Sequence, residues 1–345
     1  MSKTFTDLFS GCGGVAAGAI AAGFEPLESV EFDPRIAEIH KANIGGKMHV
    51  KNILDCNPFK FEKPDLLHAS PVCKSFSTAN TNKGEHQLDI DCAKKTAEFV
   101  TVLQPQYFTL ENVQAYAKSK SFAFIVDTLY SLGYWLNYQV LNAADFGVPQ
   151  SRRRLILIAI KGGFIPPLPP KSRHIGWYEA ISDLVWDLPD TQLAEWQIKA
   201  LPNEILVPNG NHCVKALLIE NTGARSDRPL QARNADDPSW TLRAMGKDGH
   251  YHRANALLVH PSDQRTMPVI EAPDPAFTLT SNQGGNHVKA LLENAQIKAL
   301  DIRCLARLQS FPDDYKWTGK KSIDGMGIGN SVPPLMYKGI SEILN

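Results

Sequence analysis

The chain has 345 residues with equal numbers of basic and acidic side chains, 36 each, and therefore carries no net charge at neutral pH. With 43% hydrophobic residues it has the composition of a globular protein of about two domains, not that of a disordered or fibrous chain. No apolar run approaches the ~20 residues of a membrane span, and the N-terminus lacks a secretory signal, so we expect a cytoplasmic protein. The neutral charge gives no overall basic footprint for nucleic acid, although a local basic cleft is compatible with it.

Six cysteines are spread along the chain without a Cys-x-x-Cys pair or a Cys/His cluster of zinc-ligand spacing. They are Cys12, Cys56, Cys73, Cys92, Cys213 and Cys304. This pattern predicts free thiols in a reducing compartment and no metal site.

Short apolar runs alternate with helical patterns through the first half of the chain. The pattern predicts strands at 4–10, 26–33, 65–70, 107–112 and 155–160. It predicts helices at 16–24, 34–44, 90–104 and 121–133. Strands alternating with helices indicate an α/β fold with a doubly wound, mostly parallel sheet.

The regular pattern stops at a segment rich in Pro and Gly, 162–172, which is typical of a linker. Turns and short strands dominate from there to about residue 300, and helical patterns return at 301–311 and 334–344. We therefore predict a catalytic and cofactor-binding domain formed by 1–165 plus 301–345. Residues 166–300 would form a smaller, irregular, β-rich domain.

A faint repeat lies in that second region, where 236–259 resembles 273–292 and 210–221 is a partial copy. Chance similarity among β-rich segments explains it almost as well. Histidines recur in the three copies, at His212, His252 and His287. Without carboxylate or thiolate partners at ligand spacing, we interpret them as polar loop residues.

The segment DLFSGCGG at 7–14 places glycines in a strand-to-helix turn, where they let the backbone approach a ligand. Glu31 ends the next predicted strand, 20 positions after Gly11. An acid at this spacing binds ribose hydroxyls in dinucleotide-type sites. An ordinary tight turn with an acid nearby is the alternative.

Cys73 follows the predicted strand 65–70, so it would lie at the carboxyl edge of the sheet, where ligand sites form. The neighbouring Lys74 would lower the pKa of its thiol. Glu111, at the end of the strand 107–112, would lie at the same edge as an acid or hydrogen-bond donor. A lone cysteine is more often a small buried residue, but Pro71 and the serines around Cys73 argue against a strand interior.

Two further segments carry candidate binding groups. In QSRRR, extended backbone would put Arg152 and Arg154 on one side, which suits a phosphate or a base carbonyl, or else a solvated strand start. In GNSVPP at 329–334, Asn330 and Ser331 would close a ligand site or cap the last helix.

Taken together and in this order, these segments resemble the DNA (cytosine-5) methyltransferase family, in particular its prokaryotic stand-alone members of restriction-modification systems. The segments that carry the resemblance are FTDLFSGCGG, SPVC, LENV, QSRRR, RCLARLQSFPDDY and GNSVPP. The resemblance implies the Rossmann-like fold of class I S-adenosylmethionine-dependent methyltransferases. It also implies that the second domain recognises the DNA target.

The resemblance assigns roles to individual positions. The residues implied to hold S-adenosylmethionine are Phe9, Gly11, Cys12, Gly14, Glu31, Phe32, Asn52, Ile53, Val72, Asn330 and Ser331. Those implied to be catalytic are Cys73, Glu111, Arg152 and Arg154. Those expected to contact DNA are Lys74, Ser75, Gln150, Arg225, Arg228, Arg233, Arg243 and Arg253.

The implied reaction methylates C5 of a cytosine flipped out of a short, specific sequence in duplex DNA, through an adduct between Cys73 and C6. S-adenosylhomocysteine would be the product of the cofactor. The polar segment 77–89 would close over the base. We expect a monomer at the nucleoid, and a cognate restriction endonuclease is a possible partner whose existence the sequence does not reveal.

Three positions depart from the family pattern. Val72 and Lys74 flank the nucleophile where the family usually has Pro and Gln, and Asn52 stands where an acid is expected. Two alternatives stay open at this point. One is a tRNA cytosine-C5 methyltransferase, which the long second domain disfavours. The other is a catalytically silent regulator that binds S-adenosylmethionine or DNA, which the presence of Cys73 and Glu111 disfavours.

Overall fold

The structure, a computed structural model, describes most of the catalytic part of the chain and portions of the second region. The described residues are 2–72, 85–193, 215–220, 232–242, 244–245, 250–251, 254–259 and 295–345. None of the helices in these ranges is long and apolar enough to cross a membrane.

Strands and helices alternate through the first half of the chain, as predicted. The strands are β1 (Thr4–Leu8), β2 (Glu25–Glu31), β3 (Lys47–Val50), β4 (Leu66–Ala69), β5 (Tyr107–Asn112), β6 (Tyr134–Asn142), β7 (Gln150–Ser151), β8 (Arg153–Lys161), β9 (Lys215–Glu220), β10 (Ala232–Asn234), β11 (Ser239–Trp240), β12 (Ala244–Met245), β13 (His250–Tyr251), β14 (Ala254–Val259) and β15 (Ala295–Ala299). The helices are α1 (Gly14–Ala21), α2 (Pro34–Asn43), α3 (Gln87–Leu103), α4 (Lys120–Ser131), α5 (Trp177–Val185), α6 (Ile302–Leu308), α7 (Lys321–Asn330) and α8 (Pro334–Glu342).

The central sheet has seven strands in the order β3-β2-β1-β4-β5-β8-β6. The first five are parallel to one another, and β8 runs antiparallel to both of its neighbours, β5 and β6. The predicted doubly wound, mostly parallel sheet is thus confirmed. Because β1 has β2 on one side and β4 on the other, the chain reverses its winding there, and ligand sites in open α/β sheets form at such a point.

Both faces of this sheet are covered by helices, so its central strands are apolar on both sides. In β4, Leu67 packs with Phe99 of α3 and Phe122 of α4 on one face. The preceding Leu66 packs with Val15 of α1 and other residues on the opposite face. Successive side chains of a strand point to opposite faces, which explains why the run LLHA is buried throughout.

The second region is β-rich, as predicted. Strands β10, β9, β14 and β15 form an antiparallel sheet in that order. Helix α5 precedes it, and Trp177 and Ile181 of this helix share one hydrophobic core with Leu308 of α6 and Ile328 of α7. The second region therefore packs directly on the C-terminal helices.

The linker at 162–172 contains no helix or strand, as expected, but other elements differ from the predictions. Two strands of the central sheet, β3 and β6, and two helices, α5 and α7, were not predicted. Helix α1 begins at Gly14, earlier than expected, because the glycine turn leads directly into it.

Candidate active site

The parallel strands end at one edge of the sheet and bring the candidate residues into a single row. In register, Leu8 pairs with Val30 of β2 and with Ala69 of β4, and Ala69 pairs with Leu110 of β5. The next residue on each strand is Phe9, Glu31, Ser70 or Glu111. The sheet therefore aligns four predicted features: the cofactor turn, the ribose-binding acid Glu31, the start of the segment that leads to Cys73, and the catalytic residue Glu111.

The turn after β1 has unusual backbone geometry that opens space at its tip. Phe9 has a φ of 62°, a left-handed conformation that is costly for an aromatic residue, and Gly11 and Gly13 have φ values of 54° and 97°. A side chain at Gly11 would meet nothing within 4 Å. At Gly14, a Cβ would lie 2.3 Å from the carbonyl oxygen of Val332. The turn thus packs tightly on its rear side and leaves Gly11 open to a ligand.

Two acids lie behind this turn. Glu31 accepts hydrogen bonds from the backbone N–H groups of Gly11 (2.9 Å) and Asp33 (2.8 Å), and burial raises the pKa of its carboxyl despite these bonds. Asp7 is fully buried, and its carboxylate oxygens have no hydrogen-bond partner among the described residues. Burial, and then the charge of Glu31, raise the pKa of Asp7. By contrast, the ring of Phe32 next to Glu31 is 68% exposed.

Residues of the C-terminal part of the chain pack against this turn. The Sγ of Cys12 lies 3.0 Å from the hydroxyl of Ser331, which itself donates to the carbonyl of Gly327 (2.8 Å). Burial raises the pKa of Cys12 to about 12, so it stays a protonated thiol. The hydroxyl of Tyr315 donates to the carbonyl oxygen of Cys12. The side chain of Cys12 therefore faces the protein, while Asn330 next to Ser331 is exposed.

Asn52 has a local structural role. Its Oδ1 accepts a hydrogen bond from the N–H of Leu54 (3.1 Å) and so caps a short 3-10 turn, Ile53–Asp55. Ile53 itself is buried. An amide caps this turn where the family pattern has an acid.

The backbone leading to Cys73, the predicted nucleophile, is held by a buried polar network that the sequence did not lead us to predict. The side-chain amide of Asn112 donates to the carbonyl of Pro71 (3.0 Å). The hydroxyl of Ser70 lies 2.9 Å from Nε2 of His68. The other ring nitrogen of His68 is 2.8 Å from the hydroxyl of Thr109, which lies 2.7 Å from that of Tyr337. The signal that was available is a histidine inside an apolar strand, since a buried polar group needs partners.

An acid and a guanidinium that the sequence predicted separately form an ion pair at the same edge. Nε of Arg154 lies 3.0 Å from Oε1 of Glu111, and the two side chains are only 14% and 10% exposed. Glu111 pairs with Ile156 across the β5–β8 ladder, so Arg154 is its diagonal neighbour. Two candidate catalytic residues from separate segments are thus in contact.

Arg152 and Gln150 face the protein interior instead. Arg152 is 2% exposed, and its Nη1 donates to the carbonyls of Leu242 (2.9 Å) and Gly329 (3.2 Å). Gln150 is fully buried and donates to Oε1 of Gln309 (2.6 Å). This geometry favours an organising role for both side chains over direct contact with DNA.

Several predicted residues lie outside the described part of the chain. These are Cys73, Lys74, Ser75, Arg225, Arg228, Arg243 and Arg253, together with His212, His252 and His287. Arg233 is described and lies exposed on β10. Within the described ranges, no group of three or more His, Cys, Asp or Glu residues is placed to hold a metal ion.

Comparison with known proteins matches the whole chain to one family. The model of the C-5 cytosine-specific DNA methylase family covers residues 3–344. The type II methyltransferase M1.HphI of Haemophilus parahaemolyticus is 31% identical over 355 residues, which span 99% of this chain and 86% of that protein. The type II methyltransferase M.XorII of Xanthomonas oryzae is 27% identical, over 97% of this chain and 82% of that protein.

Solved structures share the fold at lower identity. A putative DNA modification methyltransferase encoded within a prophage of E. coli superposes with a TM-score of 0.61 at 19% identity, covering 99% of this chain and 98% of that one.

Proposed function

This chain belongs to the family of C-5 cytosine-specific DNA methylases, and from that premise we propose that it methylates C5 of a cytosine flipped out of a short, specific sequence in duplex DNA. The observation that carries the proposal is the contact between Glu111 and Arg154 at the sheet edge, beside the segment that leads to Cys73. Its relatives over nearly the full length are type II methyltransferases, which supports a modification role alongside a cognate endonuclease at the nucleoid.

The residues around the glycine turn fit S-adenosylmethionine as the cofactor. Gly11 borders open space, and the carboxylate of Glu31, which accepts hydrogen bonds from the backbone N–H groups of Gly11, Asp33 and Phe32, keeps acceptor capacity for one ribose hydroxyl. The exposed ring of Phe32 offers an apolar surface for a purine. Asn330 would complete the pocket, with Ile53 and Val72 along its wall. When bound, the cofactor would supply an electrophilic methyl group on a sulfonium.

The pair of Glu111 and Arg154 suits a cytosine ring. Arg154 uses Nε for Glu111 and Nη1 for the carbonyl of Arg153 (2.8 Å). Among the described residues, its Nη2 has no hydrogen-bond partner, so it is available for the carbonyl oxygen of a base. Glu111 would contact N3 and the exocyclic amine, which fixes the ring and stabilises charge that develops on it.

Cys73 would then act as the nucleophile. Its thiolate adds to C6, the C5=C6 double bond becomes a single bond, and the electron pair is directed to C5, which takes the methyl group. Loss of the C5 proton to a base restores the double bond, and the S–C6 bond breaks with its electrons returning to sulfur. The hydrogen bonds of Ser70 and of the carbonyl of Pro71 would hold the preceding backbone during both steps.

Covalent trapping tests the nucleophile. Duplex DNA with 5-fluorocytosine at the target lacks the C5 proton, so the adduct cannot resolve, and we expect the wild-type chain to be trapped and Cys73→Ser not to be. Cys56→Ser is the matched control, because the sulfur of Cys56 is buried and already lies 3.6 Å from the carbonyl of Asn52. It should trap as the wild type does.

Bisulfite sequencing of DNA from a methylation-free host that expresses the chain gives the target sequence. One methylated sequence context is the expected result. Methylation of tRNA without any methylation of DNA would refute the proposed substrate, and no trapping by the wild type on DNA that contains every short sequence would refute the chemistry.

A further inference from the structure

Among the described residues, strand β6 forms the last strand of the central sheet, and no further strand pairs with its outer edge. Its nine residues, YWLNYQVLN, include no charged side chain, no proline and no glycine. It pairs with β8 without a register shift, from Tyr134 opposite Lys161 to Asn142 opposite Arg153. Natural sheets usually interrupt a free edge with lysines, prolines or bulges, because a bare row of N–H and C=O groups is a template for another strand.

Exposed apolar side chains are concentrated around this edge. Six of the twelve large hydrophobic side chains that are exposed in the described residues lie on β6, on helix α4 that packs on it, or just after β8. These are Phe124, Tyr130, Trp135, Tyr138, Val140 and Phe164. A concentration of this kind marks an interaction surface, whereas scattered exposed residues do not.

A groove runs along one face of the same edge. It has a volume of about 480 Å³ and lies between β6 and the segment 164–168, with Leu141 and Ile156 in its wall. Trp135, which is 66% exposed, points to the same face as Leu141 because the two lie six positions apart, and side chains an even number of positions apart share a face of the strand.

The direction of the free backbone groups follows from the ladder with β8. The N–H of Gly162 donates to the carbonyl of Gly133, and the N–H of Ala143 donates to that of Arg152. Hydrogen-bonded positions alternate in an antiparallel pair, so the odd-numbered residues of β6 bond to β8. The even-numbered residues, from Tyr134 to Asn142, therefore direct their N–H and C=O groups away from the sheet.

The strand is complementary to itself when it is paired antiparallel about Tyr138. This register matches residues whose numbers add up to 276: Tyr134 with Asn142, Trp135 with Leu141, Leu136 with Val140, Asn137 with Gln139, and Tyr138 with Tyr138. Four of these five pairs join apolar or aromatic side chains to each other or amide to amide, and none joins two charges. All outward N–H and C=O groups are paired, and Trp135 of each copy falls opposite Leu141 at the groove of the other.

From these observations we propose that two copies of the chain pair through β6 about a twofold axis at Tyr138, so that the central sheet continues from one copy into the other. The interface is isologous, as in most dimers. It departs from the monomer expected from the sequence. It uses none of the residues assigned to methyl transfer, so it stands independently of the proposed function.

Cross-linking between two single-cysteine variants tests the register. Asn137→Cys and Gln139→Cys lie directly opposite each other in the proposed pair, at a position without backbone hydrogen bonds where Cα atoms are about 4.5 Å apart. Each variant alone places its two cysteines diagonally, about 7–8 Å apart, which is too far for a disulfide. Under mild oxidation we expect a cross-linked dimer from the mixture and none above the wild-type level from either variant alone. No cross-link from the mixture, or a cross-link from one variant by itself, would overturn the proposal.

The mass in solution tests the association itself. Light scattering after gel filtration should give a dimer for the wild type. Val140→Lys should raise the dissociation constant about tenfold or more, since each dimer would bury two ammonium groups against Leu136. Val50→Lys is the matched control, because Val50 is also exposed but lies on β3 at the opposite edge of the sheet. A wild type that is monomeric throughout, or equal dissociation constants for the two lysine variants, would refute pairing through β6.

Discussion

The contact between Glu111 and Arg154 concentrates two opposite charges in a place that excludes most water. Both side chains are almost buried, and removing one partner would leave the other charge without compensation. Such a pair is expensive to keep for stability alone. Its position beside the segment that leads to Cys73 fits the use proposed above, in which one acid and one guanidinium fix a base.

Replacing Glu111 by Gln keeps the shape of the side chain but removes its charge. We expect Glu111→Gln to lower kcat by about 10²–10⁴-fold, the usual contribution of a positioned acid-base group, with a smaller change in KM for DNA. The measurement is steady-state transfer of a labelled methyl group to target DNA. Glu98→Gln is the control, because the side chain of Glu98 is 44% exposed and pairs with Lys95 of the same helix, and such surface pairs contribute little. A kcat for Glu111→Gln equal to that of Glu98→Gln would contradict the assignment.

His40 lies beside the glycine turn and gives the fold a dependence on pH. It is 1% exposed, both ring nitrogens lack hydrogen-bond partners among the described residues, and burial lowers its pKa to about 4. The unfolded chain binds a proton at this position below pH 6.5, but the folded chain does so only near pH 4. Stability should therefore fall as the pH drops from 6.5 to 4, by at most about tenfold per pH unit in the unfolding equilibrium.

The variant His40→Leu should remove this contribution. Its free energy of unfolding, measured by urea titration at several pH values, should decrease less steeply below pH 6.5 than that of the wild type. His68, whose pKa burial lowers to about 3, has the same sign and should retain part of the slope. Asp7 has the opposite sign, since its pKa is raised. Identical slopes for His40→Leu and the wild type would show that His40 is not the group responsible.

At the scale of single residues, the sequence predicted the functional groups at the strand ends, but it did not predict the hydrogen-bond network that supports them. Glu111 and Arg154 could be predicted because each occurs in a short segment with a recognisable neighbourhood. The set of His68, Thr109 and Tyr337 could not, because its members come from β4, β5 and α8 and meet only through the sheet register and the packing of the last helix.

Among the elements, α1 and α8 approach each other more closely than helices with ordinary side chains can. A Cβ on Gly18 would lie 2.5 Å from the carbonyl oxygen of Pro334 and 2.9 Å from the nitrogen of Lys338. Both partners are backbone atoms, which cannot turn aside. Since α8 begins only three positions after Ser331, which contacts Cys12, this contact also holds the residues that pack against the cofactor turn in place.

We expect Gly18→Ala to destabilise the chain by about 1–3 kcal/mol, the usual cost of overpacking, and to weaken binding of S-adenosylmethionine. Thermal unfolding and equilibrium dialysis measure the two effects. Gly45→Ala is the control, because a Cβ there would make only an ordinary contact, 3.6 Å from a side-chain atom of Pro26. If Gly18→Ala were as stable as Gly45→Ala, the inference that α1 and α8 leave no room for a Cβ at Gly18 would be wrong.

The elements that escaped prediction share a weak local signal. Helix α7, KSIDGMGIGN, contains three glycines and has low intrinsic helix propensity. It is helical because of packing. A Cβ added at Gly327 would lie only 3.2 Å from the Cβ of Cys12, so the helix packs closely on the turn after β1. Strand β3 is short and mixed in polarity, and it forms because β2 offers it a parallel neighbour.

For the whole molecule, the two predicted domains remain a proposal, and the structure joins them through one core. Trp177 of α5 and Leu218 of β9 belong to the same cluster as Leu308 of α6 and Ile328 of α7. Arg307 adds ion pairs to Asp183 of α5 and to Asp313. The sequence indicated a β-rich insert, but not this junction, because its contacts connect positions that are distant in the chain, such as Asp183 and Arg307.

Arg152 lies at that junction, and two roles can be distinguished for it, a catalytic one and an organising one. The family resemblance makes it catalytic, whereas its Nη1 joins Leu242 of the second region to Gly329, next to Asn330 of the proposed cofactor pocket. Removing the guanidinium in Arg152→Met would leave both carbonyls without this donor. Each lost bond to a charged group costs about 1.5–3 kcal/mol, so we expect binding of duplex DNA and of S-adenosylmethionine each to weaken by about ten- to hundredfold. Arg154→Met, which removes the proposed contact to the base, should instead lower kcat with much smaller changes in both affinities. Titration of each variant with labelled DNA and with the cofactor, followed by single-turnover methyl transfer, distinguishes the two patterns. If Arg152→Met lost only kcat, Arg152 would contact the reacting base itself, and the organising role inferred from its burial would be wrong.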